Sequence, residues 1–153
     1  NNGSHLLDVL CFLLGKLSVD YVGQELFDFT PEDPSIPIIL STREGITISL
    51  SCGDGHDFSL FELDFVFSNA RVKMLNSGLR WSVEKVIESD LFNGYKTLGP
   101  PAIHEGGYSL AFENALVNIH SCLSSDAYPL CSGEDGLSAL QLYSQIKSKV
   151  RSN

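Results

Sequence analysis

Basic residues are scarce in this chain. Its 153 residues hold ten Lys and Arg against nineteen Asp and Glu, a formal net charge of -9. The "KSKVR" near the end is the densest basic stretch, and it is short. A surface that tracks nucleic-acid phosphates is therefore not expected. Metal-ligand spacing is missing too. The four cysteines, Cys11, Cys52, Cys122 and Cys131, form no C-x-x-C pair. The four histidines, His5, His56, His104 and His120, form no H-x-x-x-H or H-x-H pair. Zinc sites and other catalytic metals are disfavoured, and the cysteines read as free buried thiols of a reducing cytoplasm. No G-x-S-x-G elbow and no Cys/His protease signature appears. Gly53-x-Gly55 lacks a third glycine and precedes a strand pattern, so it is not a dinucleotide fingerprint. The most apolar stretch, "LLDVLCFLLG", is about ten residues long, contains Asp8 and has no basic residues before it. It is too short to span a bilayer and does not read as a signal peptide. Repeats and low-complexity segments are absent.

What is present suits one globular domain. Apolar residues make up 43% and charged residues 19%, with nine Phe and five Tyr as large apolar side chains. Residues 4–14 read as a helix that is apolar almost all round and hence buried on most sides, with Gly15 as its C-terminal stop. The period then changes to two. "LSVDYVGQEL" (17–26) reads as a strand and "TPEDPS" as a turn. "IPIILSTR" (36–43) and "ITISLSC" (46–52) form a hairpin around Glu44-Gly45.

"DFSLFELDFVFS" (57–68) reads as the longest strand. Phe61, Leu63, Phe65 and Phe67 lie on one face, with Phe58, Leu60, Glu62, Asp64 and Val66 on the other. "ARVKMLN" (70–76) and "LRWSVEKVIES" (79–89) continue the meander, and "NGYKTLGPPAIHEGG" (93–107) reads as a loop by its Gly and Pro content. Residues 108–125 and 132–150 have helical spacing, and Ser132 with Asp135 is a capping-box pattern. The order predicts an α+β fold: a mostly antiparallel open sheet of about six strands with helices packed on one face. The apolar members of the outer face, Phe58, Leu60 and Val66, suggest a homo-oligomer through the open sheet face. Scattered surface apolars are the plain alternative.

The candidate site residues sit at the start of the chain. On a helix, Asn1, His5 and Asp8 fall on one face, i, i+4 and i+7. They place an amide, an imidazole and a carboxylate along an apolar helix. An imidazole changes charge near neutral pH and suits proton transfer to or from a hydroxyl. A satisfied core or capping histidine is the structural alternative. "SCGDGHDF" reads either as a plain turn or as a place where a ligand approaches the backbone, with His56 beside it. His104 and Tyr108 flank the Gly-Pro loop, as ligand contacts or as loop decoration. His120 reads as packed on the apolar side of its helix.

"NNGSHLLDVLCFLLG" resembles the segment that opens the C-terminal domain of the Gfo/Idh/MocA oxidoreductases, the glucose–fructose oxidoreductase and inositol dehydrogenase family. The motif is Gly3-Ser4-His5-Leu6-Leu7-Asp8, an apolar run, then Gly15. "GDGHDFSLFELDFVFSNARVKML" resembles the family's long central strand and the hairpin after it, and "YPLCSGEDGLSALQLYSQIKSKVRS" is similar to its closing segment. The likeness covers essentially the whole chain. It implies that residues 1–153 are a single C-terminal substrate-binding and oligomerisation domain. An N-terminal Rossmann domain that binds NAD or NADP, and the family's Glu-Lys-Pro lysine, would lie outside this chain.

The resemblance implies that His5 is the catalytic acid/base on a substrate hydroxyl. It gives Asp8 and His56 substrate contacts, His56 by a loose alignment. Asn1 stands where many members carry Asp, and an amide cannot take a proton. Either the family's lysine, outside this chain, carries more of the proton transfer, or Asn1 mainly holds a substrate hydroxyl. The expected substrate is a small-molecule carbohydrate, nucleotide-sugar or cyclitol, and the expected location is cytoplasmic. A non-catalytic dimerisation or ligand-binding module of the same fold is the alternative. A weaker third reading is a standalone acid/base enzyme built on His5 and His56.

Overall fold

A computed structural model describes residues 2–27 and 35–152. Asn1 and all but the last residue of the "TPEDPS" turn lie outside the described residues. The chain forms two compact units, residues 1–58 with 129–153, and residues 59–128.

The first unit combines helix α1 (Asn2–Leu14), strands β1 (Leu17–Val22), β2 (Ile38–Thr42) and β3 (Thr47–Leu50), and the closing helix, which runs Gly133–Ser152. The three strands form an antiparallel sheet in the order β1-β2-β3. Alternation places Leu17 and Val19 inward. An irregularity between Val19 and Tyr21 shifts the phase, so Asp20 and Tyr21 both face out and Val22 is buried again. On β2, Ile38, Leu40 and Thr42 are buried, and Leu40 is 0% exposed. The hairpin at Glu44-Gly45 forms as expected: Gly45 N–H donates to Thr42 O (3.1 Å), Thr42 N–H donates to Ile46 O (3.0 Å), and Gly45 has φ 87°. That left-handed position after a tight turn strongly favours glycine.

The closing helix packs on β1 and on α1, with Leu142 and Ile146 buried. Its Lys149 Nζ donates to Val19 O at 2.6 Å, joining residues 130 positions apart. α1 contributes Leu7 and Leu10 to this core, and Gly15 N–H donates to Cys11 O (2.8 Å) at its end. The expectation of a helix buried on most sides is corrected, because Phe12 and Leu13 are exposed. Leu6, Leu7, Leu10 and Leu14 share one face at helical spacing, and only that side has a neighbour to bury it.

The second unit holds β4 (Leu63–Val66), β5 (Ala70–Leu75), β6 (Arg80–Glu88), β7 (Lys96–Leu98), β8 (Ala102–Glu105) and helix α2 (Ala111–Ser124); the closing helix is then α3. β4, β5 and β6 pair antiparallel in sequence order, and both β7 and β8 pair with β6. The loop reading of residues 93–107 is thus corrected. β7 and β8 are one edge strand interrupted where Glu84 and Lys85 face Gly99, Pro100 and Pro101. Proline lacks the N–H a central ladder needs, and an edge bulge tolerates it. The long strand expected over 57–68 forms a ladder only at Leu63–Val66. Residues 54–57 turn instead, and β6 is the longest strand.

The face assignment holds for Leu63 and Phe65, the odd positions that lie within β4. By register Leu63 and Phe65 share a face with Met74, Val72, Trp81 and Val83. Asp64 and Val66 lie on the other face with Arg71, Lys73, Ser82 and Glu84. The class is α+β with antiparallel pairing throughout.

Candidate functional site

His5 lies in the first turn of α1 and is exposed. Asp8 follows three residues later on the adjoining face and is half-buried, and Cys11 follows three after that, also half-buried. Burial pushes the Cys11 thiol above its ordinary range, and the nearby Asp8 carboxylate pushes it in the same direction. α1 therefore presents an imidazole, a carboxylate and a thiol in sequence. The expectation for Asn1 lies outside the described residues. The sequence alone marks Cys11 as a buried thiol; the i, i+3 spacing from Asp8 is the signal that adds it to this row.

His56 is exposed and belongs to the same unit, in a turn rather than on α1. Asp54 makes that turn. Its Oδ1 accepts the His56 N–H (2.9 Å), and its carbonyl accepts the Asp57 N–H (3.1 Å). This is an Asx turn, which explains the local sequence without a ligand. A Cβ at Gly53 would meet nothing within 4 Å, so no neighbouring atom of the chain requires a glycine there.

Three further readings change. His104 is on β8 opposite Trp81 and exposed, so it is a strand residue and not loop decoration. Tyr108 opens a short 3-10 turn, Tyr108–Leu110, and is exposed. His120 is exposed, since α2 buries none of its residues. The cysteines are free, as expected, but none is fully buried: Cys11, Cys52 and Cys122 are half-buried and Cys131 is exposed.

The outer face of the second unit's sheet is charged. Arg71 Nε donates to Asp64 Oδ1 at 2.9 Å, and its Nη2 donates to Asp64 Oδ2, a two-pronged pair. That hydrogen bond holds the Asp64 carboxyl below the usual range. Lys73 and Glu84 stand 3.4 Å apart, and Arg80 and Glu105 3.7 Å. A shallow groove of about 350 Å³ runs along Glu62, Asp64, Arg71, Lys73 and Leu75. Much of its charge is already paired, so it reads as an ion-pair surface. This corrects the basis for an apolar open face: Phe58 and Leu60 precede β4, and Val66 stands opposite Arg71.

Among the described residues, no three His, Cys, Asp or Glu side chains come together to hold a metal ion. A dinucleotide would need a glycine-rich turn with free N–H groups between a strand and a helix. The β8–α2 connection has Gly106-Gly107, but it does not fit. Gly106 N–H donates to Leu79 O (2.8 Å), and a Cβ at Gly106 would lie 1.7 Å from Gly78 O. Gly106 serves chain packing. At α3, Asp135 Oδ2 accepts from both the N–H and the Oγ of Ser132 (2.7 Å each), while Ser132 Oγ accepts the Asp135 N–H (3.3 Å). The capping box is formed, and these bonds hold the Asp135 carboxyl low. None of the described helices is long and apolar enough to cross a membrane.

No protein-family model matches the chain, and no curated protein matches it. Solved structures do. A protein from Bacteroides fragilis, provisionally designated an oxidoreductase, superposes with a TM-score of 0.65 at 14% identity, over 99% of this chain and 48% of its own. An NAD-binding protein from Listeria innocua superposes with a TM-score of 0.61 at 19% identity, again over 99% of this chain and 48% of its own. At these identities the likeness is one of fold. The chain spans about half the length of the structures it matches.

Proposed function

We propose that this chain is the substrate-binding half of an NAD- or NADP-dependent dehydrogenase or reductase. It would act on a hydroxyl of a sugar, nucleotide-sugar or cyclitol, as the resemblance of its opening segment to the Gfo/Idh/MocA oxidoreductases implies. The supporting observation is the match of nearly the whole chain to half of two longer proteins, one provisionally an oxidoreductase and one NAD-binding.

In this reading the nicotinamide, when bound, supplies the hydride acceptor. The chain's own residues handle the proton. His5, open to solvent on α1, accepts the proton of the substrate hydroxyl as the carbonyl forms. Asp8 and His56 contact the substrate's other hydroxyls, and Asn1 holds one by hydrogen bonds without taking its proton. The protein is cytoplasmic and pairs with a second copy of itself. Asn1 in a position where relatives carry a carboxylate favours one second reading, a non-catalytic ligand-binding module of the same fold.

The test uses the full-length protein. Its turnover is followed by NADH or NADPH absorbance against a panel of sugars, sugar nucleotides and cyclitols. Turnover of one class supports the dehydrogenase. A reading frame with no dinucleotide domain, or a full-length protein that binds a sugar and never reduces the cofactor, removes it; the second outcome favours the module.

A further inference from the structure

β1 departs from the alternation of its own sequence. In "LSVDY" every second residue is apolar, and a regular strand opposite β2 would turn Leu17, Val19 and Tyr21 inward together. The strand instead carries one extra residue after Val19. Val19 pairs with Leu40, but Tyr21, not Asp20, pairs with Ile39, and Val22 pairs with Ile38. Tyr21 is therefore 57% exposed and Val22 4%. A bulge disrupts the ladder, and the regular strand would bury the larger apolar side chain. Some contact has to disfavour the regular strand.

That contact lies at the end of β1. Gly23 N–H donates to Pro37 O (2.8 Å). A Cβ at Gly23 would stand 2.6 Å from Pro37 Cγ and 3.2 Å from its Cδ. In the regular register Val22 would take the place of Gly23 opposite Pro37, and its Cβ would meet the same ring. Gly23 would move inward opposite the buried Ile36, with no side chain to pack on it. We infer that Gly23 and Pro37 form a register latch, which holds β1 in its bulged pairing and keeps Tyr21 on the outer face beside Asp20.

The two registers share everything up to Val19, where Lys149 Nζ holds the carbonyl oxygen (2.6 Å). Beyond that point the latch decides what the outer face presents. In the bulged register it presents a carboxylate and a phenol ring on successive residues, with Asp20 Oδ1 accepting from Ser41 Oγ (3.0 Å). In the regular register the ring would turn into the core and Val22 would replace it outside. β1 is thus an element with two arrangements one residue apart, biased by a single glycine–proline contact. The latch is independent of the dehydrogenase reading.

NMR of the full-length protein, labelled at glycine amides, tyrosine rings and isoleucine methyls, tests it, with circular dichroism to read folding. In the wild type the Gly23 amide is expected to be protected from exchange and the Tyr21 ring to contact Ile39. Pro37→Ala is expected to remove the Gly23 protection and to pass the ring contact from Ile39 to Ile38. Val22→Asp buries a carboxylate in the bulged register and is expected to unfold the β1–β3 sheet. Adding Pro37→Ala to it lets position 22 turn outward and is expected to restore the fold. Gly23→Ala is expected to destabilise the sheet, and Pro37→Ala to relieve that loss. A Pro37→Ala protein that keeps the Gly23 protection and the Ile39 contact overturns the inference. So does a double variant no better folded than Val22→Asp alone, or a Gly23→Ala loss that Pro37→Ala leaves unchanged.

Discussion

The two units bury apolar surface very differently. Of the twelve buried hydrophobic residues among those described, ten are in the first unit, and the second has only Leu63 and Met74. The first unit is a sheet closed by a helix: β1 and β2 turn Leu17, Val19, Ile38 and Leu40 inward, and α3 packs on β1. The second relies on ladder hydrogen bonds and cross-strand ion pairs, and its helix faces outward. The first unit carries its stability in packing, and the second depends more on pairing. The catalytic candidate His5 sits on the better-packed unit, where a rigid helix can hold a side chain in place.

Core deletions challenge this comparison most strongly. Leu40→Ala, at a fully enclosed site, is expected to cost about 3 kcal/mol in denaturant unfolding. Met74→Ala in the second unit is expected to cost less, about 2 kcal/mol, because the site is less completely enclosed. The reverse order would break the comparison. Gly106→Ala drives a Cβ into Gly78 O, and a loss of about 2 kcal/mol is expected, seen as faster hydrogen exchange confined to β6, β8 and their turns.

Ser132→Ala removes the α3 cap for about 1 kcal/mol and sharpens the contrast, because it acts on the first unit alone. The smallest effect belongs to Arg71→Ala. An exposed two-pronged pair is screened by solvent and contributes little. Arg71 depresses the folded Asp64 carboxyl below its unfolded value. The pair's contribution is therefore complete above the ordinary carboxylate range and fades as pH falls through the depressed one. Exchange at β4 and β5 should lose protection on acidification in the wild type and change less in Arg71→Ala.

Local chemistry was legible in the sequence. The Glu44-Gly45 hairpin, the Ser132–Asp135 capping box and the Gly15 stop depend on a few adjacent residues, and all three form. The shared face of Leu63 and Phe65 followed from period two. What failed needed distant partners. The Gly-Pro-Pro run hid an edge strand, because "KTL" and "AIHE" become strands only against β6. Residues 57–62 have strand composition but no ladder, since Asp54 begins a turn just before them. The apolar spacing of α2 gave the helix correctly and said nothing about which side its own unit would cover. For the candidate site, His5 and Asp8 lie on one helix as spacing implied, and the i, i+3 spacing of Cys11 from Asp8 carries the same kind of signal.

The central claim is that His5 handles the proton in a cofactor-dependent oxidation or reduction. It is tested most directly by His5→Ala in the full-length protein, measuring kcat with the substrate class found in the panel and cofactor affinity in the same samples. The account predicts a kcat lower by about 10²- to 10⁴-fold with cofactor binding intact. Unchanged turnover in His5→Ala would contradict it.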